Sequence, residues 1–323
     1  MTSRNLARMI WIHAVERHDE SPEMGKADLL AKLTAINMIN AFASALKHRL
    51  RFEPAADYPD LAPYVAHLGN AMAVNANQEA LHTKKQTPWK TTGERLGVSF
   101  AISNPRKILK RSKENLGNLP HEILTYLQSY AEELFKNETM ALGGAQVLIL
   151  NDIRALAEVL GGCERILNTP LPIAYSIAIA QITWAYIIVL PFQLVGTLQW
   201  IAIPASVIAS YIILGLASIG REIENPFGTD VNDLNMDSYC RELAADLDVL
   251  TSSPAPKMED FVRNPENRIL FPLSMTTYEG WENRTVEDIR EALRAKAFSK
   301  AKSVQIERGM AMLESDEGPV AAV

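Results

Sequence analysis

From Ile166 to Gly220 the chain runs for 55 residues without an Asp, Glu, Lys, Arg or His. Elsewhere charge is dense, with 22 % of the 323 residues charged, so composition does not explain the gap. A bilayer core is about 30 Å thick, and a helix crosses it with roughly 20 apolar residues. The stretch is long enough for two crossings and a tight turn, and too long for one. It divides into spans at about 173–195 and 200–220, with Gly196-Thr197-Leu198-Gln199 as the turn. Pro191 and Pro204 fall near the turn-side ends, where freed backbone groups are easiest to satisfy. Trp184, Tyr186, Trp200 and Tyr211 are available as interface anchors or packing residues. Arg165 and Arg221 flank the pair on the side away from the turn, which places the polar flanks and both termini in the cytosol. The competing reading is a buried hairpin in a large soluble protein. It requires an interior two bilayer lengths deep with no charged edge.

The near-zero mean hydropathy conceals this block by averaging it with a long polar remainder. A net charge of −6 gives no electrostatic support to a nucleic-acid partner. Cys163 and Cys240 are far apart and form no C-x-x-C, so they read as packing residues rather than a disulfide framework or zinc site. His13 and His18 are off the i, i+4 spacing of a helical metal pair. There is no G-x-S-x-G, P-loop or dinucleotide fingerprint, and no enzymatic activity is expected. Two glycosylation sequons, at Asn137 and Asn283, would face the cytosol and are expected to stay unmodified.

The rest of the chain has helical periodicity and no convincing hairpin of strands. Residues 1–18 read as an amphipathic helix rather than a signal peptide, because Arg4 and Arg8 interrupt it and no cleavage site follows. Leu29, Leu33, Ile36, Ile39, Phe42, Leu46 and Leu50 recur at helical spacing through Lys26–Leu50. Residues 57–63 form a Pro-punctuated loop, and 63–110 carry only broken helical patches. His121–Lys136 is helical, with Ile123, Leu127, Tyr130 and Leu134 on one stripe. A longer helix is predicted over Glu138–Leu167, where Gly143-Gly144 and Gly161-Gly162 would permit close packing. Thr285–Leu313 reads as a solvated helix. The expected architecture is all-α. Residues 1–165 form a cytosolic helical region, 166–220 two membrane helices, 221–250 a cytosolic turn and helix with an acidic clasp, and 251–323 a cytosolic tail.

Specific strings border the uncharged block. Before it stands Cys163-Glu164-Arg165-Ile166-Leu167-Asn168-Thr169-Pro170-Leu171-Pro172. After it stands Gly220-Arg221-Glu222-Ile223-Glu224-Asn225-Pro226-Phe227-Gly228-Thr229-Asp230-Val231-Asn232-Asp233-Leu234. Asn225–Gly228 is a turn, since Pro fixes one φ and Gly permits a left-handed one. Asp230, Asp233 and Asp237 follow at i, i+3 and i+7 on one face of a starting helix. Those carboxylates either cap the helix or, with turn carbonyls, supply hard oxygen ligands for calcium. The loop is not an EF-hand, because Gly and a bidentate Glu are absent at the required offsets. Glu164 and Arg165 are read as structural, with Arg165 snorkelling or pairing between subunits.

Together the two strings resemble the bestrophin family of ion channels, in its fungal and bacterial branch, over about residues 3–250. The resemblance implies a membrane hairpin continuous with a cytosolic helical bundle, assembled as a ring, a homopentamer, with the pore on its axis. It implies a multi-pass protein of the cell membrane that conducts chloride or organic anions passively. Cation conduction and a non-conducting scaffold or regulatory subunit are the alternatives. It places a narrow cytosolic aperture near Val147, with Gln146 beside it, although Val147 also fits a core position on an apolar stripe. Animal members bind calcium through carboxylates matching Asp230 and Asp233 and backbone carbonyls matching Glu222 and Asn225. Against this, bacterial relatives look calcium-independent, and Val231 and Asn232 dilute the acidic run. No cofactor is otherwise required. The family has four membrane spans, the second lining the pore neck, and Ser3-Arg4-Asn5-Leu6-Ala7-Arg8 matches a string shortly after it. The sequence is therefore expected to be an N-terminally truncated form lacking the first two spans.

Overall fold

The computed structural model describes residues 1–53, 56–68, 117–169, 172–222, 225–229, 232–272 and 274–298. The regular elements among them are helical. Two compact units divide the chain, Met1–Ser252 and Ser253–Val323.

In the first unit, α1 (Thr2–His13), α2 (Pro22–Leu50), the short α3 (Ala62–Val65), α4 (Leu119–Lys136), α5 (Gly143–Asn168) and α8 (Met236–Thr251) form a bundle. The hairpin is α6 (Ile173–Leu198) and α7 (Ala202–Glu222). α2 is the central rod. Ser21 caps it by accepting from the Glu23 N–H at 3.3 Å, and Pro22 opens its first turn, where a missing N–H costs nothing. From Ala35 to His48 it is buried on nearly every side, as expected of a helix surrounded by others. α4 and α8 pack on it, α5 packs on α4, and α1 lies against α2, α5 and α8. Leu6, Ile10, Ile39, Ile123, Leu127 and Ile149 are sealed in the core.

Two ion pairs tie the loop after α1 to α2. Lys32, 2 % exposed, donates to Glu16 at 2.7 Å and lies over the Trp11 ring. Arg17 holds Asp28 bidentately at 2.8 and 2.9 Å. Burial alone would raise the Glu16 pKa, but the Lys32 and His18 hydrogen bonds outweigh it and hold the carboxyl below its usual range.

Three expectations about helix limits change. The first helix stops at His13, not at residue 18. Ala14 turns extended, and the Val15 N–H donates instead to the Thr139 carbonyl at 2.9 Å. The long helix starts at Gly143 and not at Glu138, which adopts φ 59° and closes the end of α4. There Asn137 Oδ1 accepts from both the backbone N–H and the hydroxyl of Thr139, at 3.2 and 2.6 Å. Among the described residues the glycine pairs in α5 mediate no close packing, since a Cβ at any of the four would meet nothing within 4 Å. The patches read over 63–110 lie largely outside the described residues.

In the second unit, Trp281 on the short helix α10 (Tyr278–Glu282) is buried, with the Arg284 guanidinium 4.2 Å from its ring centre. Arg263, following α9 (Met258–Val262), pairs with Glu282 at 3.1 Å. Thr285 and Asp288 cap each other reciprocally at 3.2 Å and start the helix over 286–298. The remainder of the solvated helix expected to reach Leu313 is outside the described residues.

Candidate functional site

Among the described residues, two stretches are long and apolar enough to cross a membrane, and burial tells them apart. The α2 segment is 56 % buried in the protein, whereas the window within residues 177–220 is 6 % buried. Ile182, Ile188, Phe192, Ile208 and Tyr211 are each at least half exposed. An apolar surface of this extent marks a membrane or protein contact. α6 and α7 pack on each other through a turn at Gln199, with φ 47°. Their 26 and 21 residues give lengths of about 39 and 31 Å at the helical rise. Pro204 is in the first turn of α7, where its lost N–H needs no partner, while Pro191 lies inside α6.

The chain leaving the hairpin is fastened at several points. Asn225 Oδ1 accepts from the Phe227 N–H at 3.3 Å, and the Pro226 carbonyl accepts from the Leu234 N–H at 3.0 Å. Phe227 is buried against Leu50 and Met236, beside Leu46, Cys163 and Leu167. Cys163 thus packs as expected, and burial pushes its thiol pKa up, as it does for Cys240. Gly228 does not have positive φ, and its turn is approached by a side chain: a Cβ there would lie 2.5 Å from Asp233 Oδ2, which would have to swing aside. A Cβ at that point would also be 3.7 Å from the Asn225 side-chain nitrogen. The turn therefore gathers Asp233 and the Asn225 amide around one glycine.

The described aspartates are placed differently from one another. Asn235 caps α8 by accepting from the Ser238 N–H at 3.1 Å. Asp237 points back to α2 and pairs with Lys47 and Arg51, each at 2.8 Å. Hydrogen bonds from those two cations hold its pKa down to about 2. Asp230 and the Glu222 side chain lie outside the described residues, and among those described no group of three or more acidic, His or Cys side chains could hold a metal. The described residues thus provide one carboxylate and one amide, which do not by themselves complete a calcium site.

At the other end of the hairpin, Glu164 joins three helices. Its carboxylate accepts from Arg49 Nε on α2 at 2.6 Å and from the side-chain amide of Asn118, the α4 cap, at 3.1 Å. Glu164→Ala is expected to lower unfolding stability in detergent by about 1–2 kcal/mol, and Glu164→Gln by less, because one acceptor survives.

On α5, Ile149, Ile153, Leu156 and Leu160 face the core, while Val147 is 58 % exposed and Leu150 37 %. Val147 is thus not a core residue of the subunit. Gln146 points elsewhere, its amide donating to the Met140 carbonyl at 2.6 Å.

A family model described as bacterial/fungal bestrophin protein matches residues 1–249. The chain belongs to the bestrophin family. Two cyanobacterial relatives, both named voltage-dependent anion channel-forming protein, accompany that match. The Synechocystis protein is 33 % identical over 254 residues, covering 78 % of this chain and 66 % of its own. The Nostoc protein is 33 % identical over 262 residues, covering 80 % and 68 %. This bestrophin thus spans just under two thirds of the Synechocystis relative. A crystal structure of a bacterial bestrophin homolog from Klebsiella pneumoniae is 25 % identical, with a TM-score of 0.51 over 78 % of this chain and 74 % of that one. A second structure of that homolog gives a TM-score of 0.52. The all-α fold read from the sequence is the fold found, and this bestrophin is a membrane protein.

The residues the sequence reading missed are Lys47, His48, Arg51 and Asp60. Their signal was a cationic run, Lys47-His48-Arg49-Leu50-Arg51, ending a helix just before the acidic Asp57–Asp60 segment.

Proposed function

We propose that this bestrophin is a channel subunit that conducts anions passively, chloride or small organic anions, with no reaction catalysed. The observation that carries the reading is its match across some four fifths of the chain to relatives named as anion channel-forming proteins. The exposed apolar hairpin supports it, because that surface calls for lipid or neighbouring subunits. We read the assembly as a homopentameric ring in the cell membrane, multi-pass, with both termini in the cytosol. Val147 then faces the axis as an apolar constriction that gates by dewetting. Its exposure on α5 is the support. Val147→Ser is expected to raise chloride flux, and Val147→Phe to lower it, as read by halide-quenched fluorescence in proteoliposomes. Equal flux in all three proteins would remove Val147 from the pathway. The conduction reading itself is tested in the same vesicles: chloride entry above that of protein-free vesicles is expected, and entry of cations alone would overturn it.

Calcium at the hairpin exit is part of the proposal, with Asp230 and Asp233 as carboxylates and Glu222 and Asn225 giving backbone carbonyls. The closure of Asp233 and Asn225 around Gly228 supports it. Titration calorimetry is expected to show calcium binding by the natural chain and loss of at least tenfold in affinity in Asp233→Asn, a change of about 1.4 kcal/mol or more. Identical heats from the two proteins would dismiss the site.

A further inference from the structure

His48 has the most constrained setting of the buried titratable groups in the first unit that ion conduction does not use. It sits in the last turn of α2, 6 % exposed, with its ring stacked on Tyr58 at 4.0 Å and 9°. Nδ1 is 2.6 Å from Glu53 Oε2, and Nε2 is 2.9 Å from Asp60 Oδ1. A neutral imidazole has one N–H and one lone pair, so it can donate to only one of these carboxylates. At the other contact its lone pair would then face an anionic oxygen at hydrogen-bond distance. Both contacts are satisfied together only when the ring is an imidazolium.

The charges around it agree. Lys47 in α2 and Arg51 just past its end lie with His48 among Glu53, Asp60 and Asp237, so a charged ring balances three cations against three carboxylates. A neutral ring leaves three carboxylates facing two cations. Tyr58, with Asp57 acting on it, faces the cluster from the connecting loop, and Cys240 faces it from α8. Burial opposes charge at Lys47 and Asp60, but the hydrogen bonds of Lys47 to Asp237 and Asp60, and of Asp60 to Lys47 and His48, outweigh it, and both are held more firmly in the charged form. Of the side-chain types in the cluster, imidazole is the one whose ordinary proton exchange lies nearest neutral pH.

Its proton reaches further than its own contacts. Asp60 accepts from Lys47 as well as from His48, and Lys47 reaches Asp237 at 2.8 Å. α8, which carries Asp237, begins where the loop leaving the membrane hairpin ends. We propose that His48 is a proton-operated latch that fastens the 56–61 loop and, through Asp60 and Lys47, the start of α8 to the end of α2. The fastened form is the protonated one, so the latch is complete at acid pH. It opens as pH rises and the ring gives up its proton. The latch stands without the conduction reading, since only its effect on current depends on that.

The test is amide hydrogen exchange on the full chain in nanodiscs from pH 5.5 to 8.5, corrected for the intrinsic rate. It is read over residues 56–62 and 236–243 in natural protein and in His48→Gln. Glutamine offers one donor group and one acceptor, so it cannot donate from both positions. Natural protein should lose about tenfold in protection across this range, the expected effect of one charge-assisted hydrogen bond, while His48→Gln should be weakly protected and flat. Flat protection in the natural protein, or the same step in His48→Gln, would overturn the latch. If His48→Gln does not fold, the nitrogen resonances of His48 in natural protein decide. The exchange step must share their titration midpoint, and separate midpoints would reject the proposal.

Discussion

The double variant Ile188→Arg, Ile212→Arg is expected to lose membrane insertion. Both residues lie near the middle of the hairpin helices, 59 % and 54 % exposed. An arginine at the centre of a membrane helix costs about 2.5–3.5 kcal/mol on insertion scales, so two in one hairpin outweigh what the flanking apolar residues comfortably supply. Natural protein should stay with membranes through an alkaline wash, and the double variant should appear in the supernatant or be degraded. The outcome separates the two readings of the uncharged stretch. If 177–220 were a water-exposed hairpin, arginine on its surface would be nearly neutral for stability, and partitioning would not change.

Truncation of the central rod should have the next largest effect. Ile39 is fully buried midway along α2, the helix on which α4 and α8 pack. Ile39→Ala should lower unfolding stability by about 2–5 kcal/mol through lost burial and the cavity left behind. Leu30→Ala on the same helix is the control, because that side chain is 55 % exposed, and the expected change is within about 0.5 kcal/mol. Thermal unfolding in one detergent compares the three. Equal losses at the two positions would contradict the placement of α2 at the centre.

How far the sequence could be read follows from where each determinant lies along the chain. The stripes Ile36, Ile39 and Phe42 on α2 and Ile123 and Leu127 on α4 are local periodicities, and they became core positions. The end of α1 was not legible, because the group that takes the Val15 N–H is the Thr139 carbonyl, far along the chain. Glu138 broke the predicted long helix by adopting positive φ, which nothing in its residue type announces. Gly228 was read as supplying a left-handed φ; its φ is not positive, and what approaches it is the Asp233 carboxylate. The aspartates after the hairpin looked equivalent by spacing. Asp237 nevertheless serves α2, through cations contributed by residues 47 and 51. Val147 lay on a stripe of core residues in sequence, and only the direction of the α5 faces showed it turned outward.

Anion conduction, the function proposed for this bestrophin, is measured most directly as a reversal potential. The full chain, reconstituted into a planar bilayer with a potassium chloride gradient, should pass current that reverses close to the chloride equilibrium potential. Replacing chloride on one side by a large organic sulfonate should then shift that reversal. Reversal close to the potassium equilibrium potential, unmoved by the anion exchange, would overturn anion conduction.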